Sequence, residues 1–356
     1  MPHTRSLADA VPSILAESLP DASVRCGVCA HRCLVRPGRT GICGVRENRD
    51  GTLWCLAYGA VAATGLDPIE KKPLFHVEPG SLAYSISTTG CPFHCAFCQN
   101  WEIAQGPRLR LEAPRRRMSP ARIVDAAIRA GARSIAYTYV EPTVFLEYAL
   151  DTARLARAAG LRNLFVTDGY ATPGAVGLLA GVLDAANVDL KSFDDGFYRR
   201  LCGARLAPVL DAITAIHRTG VWLELTTLII PGHNDGDDEL RALAGWIVEA
   251  LGPGTPWHVS RFYPAFRMRD VPPTPSSTLR RAAEIGREAG LRHVYVGNAP
   301  ELGLEDTRCP GCGLVLVERT GYRCRSALGP GGACPDCGRP LEGRWEPVAP
   351  GARASV

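Results

Sequence analysis

The sequence predicts an α/β chain built on an open, partial TIM-type barrel of six βα units, with a four-cysteine module before it and a zinc ribbon after it. Three observations lead there. Short apolar runs alternate with helix-period stretches through the middle of the chain, a dense cysteine run follows the first of them, and the remaining paired cysteines fall at metal-ligand spacings on either side. Candidate strands are 82–87, 134–139, 163–167, 187–190, 221–229, 257–262 and 294–296. Between them, helical patterns occupy 121–130, 143–159, 173–180, 208–219, 237–251 and 278–289. Ser119-Pro120 and Thr172-Pro173 read as N-cap plus proline pairs, while Gly131, Gly160, Gly220 and Gly290 stand where helices should stop. Strict alternation of strand and helix argues for parallel strands joined by crossover helices. Six units are fewer than the eight of a closed barrel, so the sheet is expected to stay open.

A chain of 356 residues with 46% hydrophobic content accommodates one barrel-sized domain and appendages. The expected division is a cysteine-rich metal-binding module and connector at 1–79, the barrel at 80–300, a zinc ribbon at 305–345 and a disordered tail at 346–356. Net charge is only +4, and the basic residues are spread out apart from Arg115-Arg116-Arg117, so nucleic acid is not an expected partner. No stretch approaches the length of a bilayer span, and residues 1–20, with Asp9 and Glu17, lack the order of a secretory signal. Fourteen cysteines grouped as C-x2-C and C-x3-C-x2-C point to metal ligation in a reducing compartment rather than a disulfide framework. A cytoplasmic protein is expected.

The cysteine run is Cys91-Pro92-Phe93-His94-Cys95-Ala96-Phe97-Cys98, on a loop after the first strand. Three thiols are one short of the four that normally close a cubane iron–sulfur cluster, which leaves one iron open. S-adenosylmethionine (SAM) can chelate such an iron through its amino and carboxylate groups. One electron then cleaves its sulfonium into methionine and a 5′-deoxyadenosyl radical. A zinc knuckle, for which only His94 offers a nearby fourth ligand, and a buried apolar thiol cluster are the alternatives. The spacing, with aromatic Phe97 before the last cysteine, resembles the signature of the radical SAM superfamily. That resemblance implies a [4Fe–4S] cluster on Cys91, Cys95 and Cys98, with SAM as its companion.

Parallel αβ folds carry their chemistry at the C-terminal ends of strands. The candidates for SAM contact there are Tyr139, Glu141, Thr167, Asp189 and Lys191. The second strand ends in Tyr137-Thr138-Tyr139-Val140-Glu141-Pro142, where many radical SAM proteins have a Gly-Gly-Glu-Pro segment that holds the methionine ammonium. Tyr139 and Val140 replace the two glycines, and a plain Glu-Pro helix start is the alternative. Thr167-Asp168-Gly169 ends the third strand. Alternation puts Asp189 and Lys191 on one side of the fourth, Lys191 suited to SAM's carboxylate and Asp189 to a cation or ribose, or the two to a structural ion pair. After the sixth strand, Arg261 and Tyr263 share the face expected for the substrate pocket, while His258 reads as a satisfied core residue.

Cys26, Cys29, Cys33 and Cys43 have ligand-like spacing for zinc or a second cluster, with zinc preferred because such short loops suit structural sites. Cys309-Pro-Gly-Cys312 and Cys334-Pro-Asp-Cys337 are the two knuckles of a zinc ribbon, leaving Cys324 spare. Cys55 and Cys202 are expected to pack. The polar segment from Asp67 to His76 is either a wall or lid over the cluster, or a solvated connector.

From Cys26 to Trp345 the order of motifs resembles the radical SAM proteins of the AmmeMemoRadiSam system, relatives of the pyruvate formate-lyase activating enzymes. The resemblance is carried by Cys26-x2-Cys29-x3-Cys33, by Gly41-Ile42-Cys43-Gly44-Val45-Arg46 and by Asp67-Pro68-Ile69-Glu70-Lys71-Lys72-Pro73-Leu74-Phe75-His76. Gly90-Cys91 through Cys98-Gln99-Asn100, Tyr137-Thr138-Tyr139 with Glu141-Pro142, Asp189-Leu190-Lys191, Arg261-Phe262 and the terminal knuckles complete it. It implies an electron donor such as flavodoxin or ferredoxin and association with Memo-like and AMMECR-type proteins. The expected reaction is reductive SAM cleavage for hydrogen abstraction from an unidentified substrate, a protein or peptide among the candidates. One alternative is glycyl-radical-enzyme activation, against which Tyr263 stands where the activases place histidine and Val166 where they place aspartate. Another is a non-catalytic, metal-stabilised scaffold.

Overall fold

In the computed structural model, whose described residues are 10–109 and 116–346, the apolar runs form an eight-stranded sheet. Its strands in chain order are β1 (Ala63–Pro68), β2 (Leu82–Ser87), β3 (Ser134–Tyr137), β4 (Arg162–Thr167), β5 (Ala185–Asp189), β6 (Trp222–Ile229), β7 (Trp257–Arg261) and β8 (Val294–Gly297). They lie side by side in that same order, β2 to β8 parallel and β1 antiparallel to β2. β8 and β1 do not pair, so the barrel is open. β1 is an addition to the sequence reading, which left it in the connector. Its Gly65, Asp67 and Pro68 are poor strand formers, and a proline is tolerated on an edge. The tail expected to be disordered lies, from residue 347, outside the described residues.

Six helices make the crossovers: α1 (Pro120–Arg129), α2 (Leu146–Ala158), α3 (Pro173–Ala180), α4 (Leu206–Arg218), α5 (Asp237–Leu251) and α6 (Ser276–Glu288). The caps work as their chemistry requires. Ser119 Oγ accepts from Arg122 N at 3.3 Å and Thr172 Oγ1 from Ala175 N at 3.3 Å, with proline at the first helical position in each case. Gly131, Gly160, Gly220 and Gly290 take the left-handed conformation that ends a helix. β3 is buried at every residue, as expected of a parallel strand covered on both faces.

The N-terminal module shares one continuous core with the barrel. It is fastened by Arg46, whose guanidinium makes two 2.9 Å bonds to the carboxylate of Glu147 on α2; both side chains are fully buried. Glu147 also accepts from Ile14 N at 3.1 Å. The C-terminal ribbon has a small core of its own around Leu316, Val317 and Leu341, next to four cysteines. Two links, through Arg319 and His76, dock it on the chain before β2, which Glu224 in turn fastens to the barrel. Arg319 donates to Phe75 O and Thr307 Oγ1, each at 2.8 Å, and its guanidinium lies 4.0 Å above the Phe75 ring. His76 spans Glu342 O and Tyr295 Oη, each at 2.7 Å. Glu224 accepts from the backbone N–H groups of Phe75 and His76 and pairs with His258 Nε2 at 2.7 Å.

Burial holds the His76 pKa down to about 3. The unfolded chain therefore takes up a proton near pH 6.5 that the folded one refuses, and stability is lost as pH falls through the window from 6.5 toward 3. His76 alone should contribute a loss of about 2 kcal/mol between pH 7 and pH 5, read in urea unfolding as the difference between wild type and His76→Gln. Glu147→Ala, which strands Arg46 in the interior, should cost about 3–5 kcal/mol in the same assay. Arg154→Ala, which breaks an exposed pair with Asp151, should cost less than about 1 kcal/mol.

Candidate functional site

At the C-terminal ends of the strands lies a cavity of about 530 Å³. Cys91, Cys95 and Cys98 line it, as do Tyr139, Glu141, Thr167, Asp189 and Lys191. Lys71, Lys72, Pro73 and Phe75 form part of its wall, and Glu305 and Tyr322 come from the chain beyond the barrel. The Asp67–His76 segment is thus a wall of the cavity rather than a solvated connector. His76 itself points the other way, into the ribbon contact.

The cysteine loop leaves β2 through Gly90, which has φ +94° and would bring a Cβ to within 2.6 Å of Cys43 O; only glycine fits there. Its backbone is tied at both flanks, with His94 N donating to Cys202 O at 2.7 Å and Ala96 N to Leu201 O at 2.8 Å. Phe97 packs on Phe197 with ring centres 5.8 Å apart. Backbone bonds and this packing thus fix the loop that carries the three thiols. Burial pushes the Cys98 thiol up to about 12, so these groups stay protonated until a cation replaces the proton.

Opposite the thiols, Lys191 Nζ is held between Asp168 Oδ1 at 2.9 Å and Asp189 Oδ2 at 2.8 Å. Burial opposes its charge, but the two carboxylates outweigh that and keep it an ammonium. Asp168 also accepts from Cys91 Sγ at 3.5 Å, which makes it the link between the lysine and the cluster loop. The sequence reading named its strand end without assigning it a role. The signal was there, a third acid at a parallel strand terminus. Glu141 accepts from Thr143 N, Thr143 Oγ1, Thr167 Oγ1 and Asp168 N. Burial, then the charge of Asp168, raise its pKa well above the usual carboxylate range.

Tyr139 adopts the left-handed conformation that favours glycine, φ +67°. Such a residue costs about 1–2 kcal/mol unless it is held. Here its hydroxyl donates to Asp67 Oδ2 at 2.7 Å, Lys72 Nζ lies 4.7 Å from its ring, and Asn100 Nδ2 donates to its carbonyl at 3.0 Å. Asp67 collects Lys71, Lys72, Ser85 and Tyr139 at 2.7–2.8 Å. This anchor was not read from the sequence, because it depends on the antiparallel pairing of β1.

The Radical SAM superfamily profile matches residues 85–244. An uncharacterised protein of Methanocaldococcus jannaschii, MJ0808, is 43% identical over 303 residues, which span 85% of this chain and 90% of the relative. The chain belongs to the radical SAM superfamily. The pyruvate formate-lyase-activating enzyme of Clostridium pasteurianum is 25% identical over 161 residues, covering 44% of this chain and 66% of that enzyme. Among solved structures, a domain of the corresponding enzyme from Bacteroides vulgatus superposes with a TM-score of 0.42 at 15% identity, over 46% of this chain and 99% of that one.

The cavity of this radical SAM enzyme fits the family's cofactor in its donor set: three lining thiols and open space in front of them, with a further thiol, Cys202, bonded to Cys95 without lining the cavity. The expected substrate face is corrected. Arg261 donates to Thr274 O at 3.1 Å and, at 2.7 Å, to Ser276 Oγ and Glu301 Oε1, while Tyr263 is exposed and reaches Asn298 O. Neither lines the cavity; His258 and Ser260 do. Strand alternation allows either parity. The guanidinium follows its acceptors at the start of α6, outside the sheet, so the inner face falls to residues 258 and 260. The N-terminal cysteines surround a separate, smaller cavity. In the described residues no helix is long and apolar enough to cross a membrane.

Gly90→Ala should destabilise the apoprotein by about 2 kcal/mol or more, because a Cβ there meets backbone as well as strain. Gly131→Ala, where nothing lies within 4 Å, should cost only about 1 kcal/mol for its left-handed φ.

Proposed function

We propose that this enzyme cleaves SAM reductively and uses the resulting radical to take hydrogen from a substrate that is a protein or peptide. The observation that carries the reading is the convergence on one cavity of three thiols with Glu141, Thr167, Asp168, Asp189 and Lys191. Cys91, Cys95 and Cys98 would hold a [4Fe–4S] cluster. When bound, the cluster supplies the electron that splits SAM's sulfonium into methionine and the 5′-deoxyadenosyl radical. Lys191, kept charged by its two aspartates, would bind the carboxylate of SAM. The carbonyls at the Tyr139 turn and Glu141 would receive the ammonium of SAM, and Asp189, the more exposed of the two acids beside Lys191, would take the ribose hydroxyls. Burial of the loop keeps water from the thiolates.

The order of motifs supports membership of the AmmeMemoRadiSam system, with Memo-like and AMMECR-type proteins as partners, flavodoxin or ferredoxin as electron donor, zinc in the ribbon and a cytoplasmic setting. The similarity to an activating enzyme favours a second reading, in which the radical is passed to a glycine of a partner polypeptide. The departures at Tyr263 and Val166 count against it. A scaffold without chemistry is disfavoured by the complete set of ionisable groups around the cavity.

The test is anaerobic. Reconstituted, reduced protein given SAM should yield 5′-deoxyadenosine, and Cys95→Ala should yield none. Lys191→Met should keep its iron yet lose at least about tenfold in SAM affinity, as for a lost charge-assisted bond. A reducible, SAM-bound wild type that forms no product, with or without Memo-like and AMMECR-type proteins, would return the scaffold reading.

A further inference from the structure

The cysteine sets of this chain differ in how closely their sulfurs approach, and that spacing separates the metals they suit. Cys309, Cys312, Cys334 and Cys337 have all four Sγ atoms within 4.8 Å of one another, with Cys309 to Cys337 at 3.5 Å and Cys312 to Cys334 at 3.6 Å. One tetrahedral zinc with bonds of about 2.3 Å requires sulfurs that close. Among the described residues Cys91, Cys95 and Cys98 form no such group, as befits thiolates that each reach a different iron. Cys26, Cys29, Cys33 and Cys43 follow the second pattern. All four line one cavity, yet no three of them meet within 4.8 Å. The preference for zinc drawn from their short loops is therefore not met by their spacing.

Arg46 provides an independent observation. It lines the same cavity at 2% exposure, and its terminal nitrogens are engaged by Ser13, Thr143 and Glu147. Its Nε–H has no hydrogen-bond partner. A buried donor left unmet costs about 1–3 kcal/mol and calls for an acceptor that the polypeptide does not supply. A thiolate-ligated cluster bears net negative charge and accepts hydrogen bonds at sulfur.

We propose that Cys26, Cys29, Cys33 and Cys43 hold a second [4Fe–4S] cluster, closed by four thiolates and hydrogen-bonded by Arg46 Nε. With every iron ligated by protein, this site does not bind SAM. It lies against the Cys91–Cys98 loop: Pro92 lines its cavity, His31 Nε2 is 3.0 Å from Pro92 O, and Cys43 O abuts Gly90. From Cys43 O, the Cα of Cys91 is within about 8 Å, one 3.8 Å peptide step beyond the Gly90 contact.

The test is iron, acid-labile sulfide and zinc in the anaerobically reconstituted full chain. About eight sulfides and one zinc per chain are expected, from two cubanes and the ribbon. About four sulfides with two zincs would overturn the proposal in favour of zinc, and about four with one zinc in favour of free thiols. A variant with Cys91, Cys95 and Cys98 all changed to alanine should keep about four sulfides and, on reduction, the electron paramagnetic resonance of a [4Fe–4S] cluster. Adding Cys29→Ala and Cys43→Ala should abolish both, and their persistence would sink the assignment. If these variants fail to fold, the wild-type sulfide count still decides.

Discussion

A parallel sheet that does not close leaves two edge strands and a gap between them, and much of this molecule is organised around covering that gap. β1 caps one edge with antiparallel hydrogen bonds. The chain after it reaches the other side through Phe75 and His76, whose backbone N–H groups are held by Glu224 on β6. Arg319 of the ribbon then bonds Phe75 O on one side and Thr307, beyond β8, on the other. The ribbon acts as the wedge of an incomplete barrel, and its Tyr322 reaches the rim of the cavity for that reason.

The same edge strand conditions the chemistry. Asp67 sits on β1 and gathers Lys71, Lys72, Ser85 and the hydroxyl of Tyr139. Those bonds hold a tyrosine in a left-handed backbone conformation that ordinarily favours glycine. What is lost in freedom of approach at that turn is offset by a side chain that ties β1 to the mouth of the barrel. On the far wall, Asp168 and Asp189 keep Lys191 cationic in a buried setting where desolvation alone would neutralise it.

The two flanking modules solve a common problem in different ways. The N-terminal one is too poor in apolar residues to stand alone, so it merges its core with the barrel and anchors it with a buried ion pair. The ribbon keeps its own small core and four convergent thiols, and docks through polar contacts. The four sulfurs of the ribbon lie within 4.8 Å of one another, whereas the N-terminal thiols line a cavity together without forming such a group among the described residues.

By itself the sequence determined the local and periodic features. The seven parallel strands and six helices, their caps, the cysteine loop, and the strand-end residues that share the cavity follow from spacing, alternation and capping chemistry, which act over a few residues. Tertiary structure alone decided what depends on approach between distant segments. β1 is a strand because β2 offers it an edge, despite its glycine and proline. Arg261 turns outward because its acceptors lie on α6 and beyond, and Asp168 matters because Lys191 and Cys91 both reach it. The cavity that Cys26, Cys29, Cys33 and Cys43 line is completed by Pro92, Thr143 and Val144 from distant parts of the chain, which no ligand spacing along the sequence can encode.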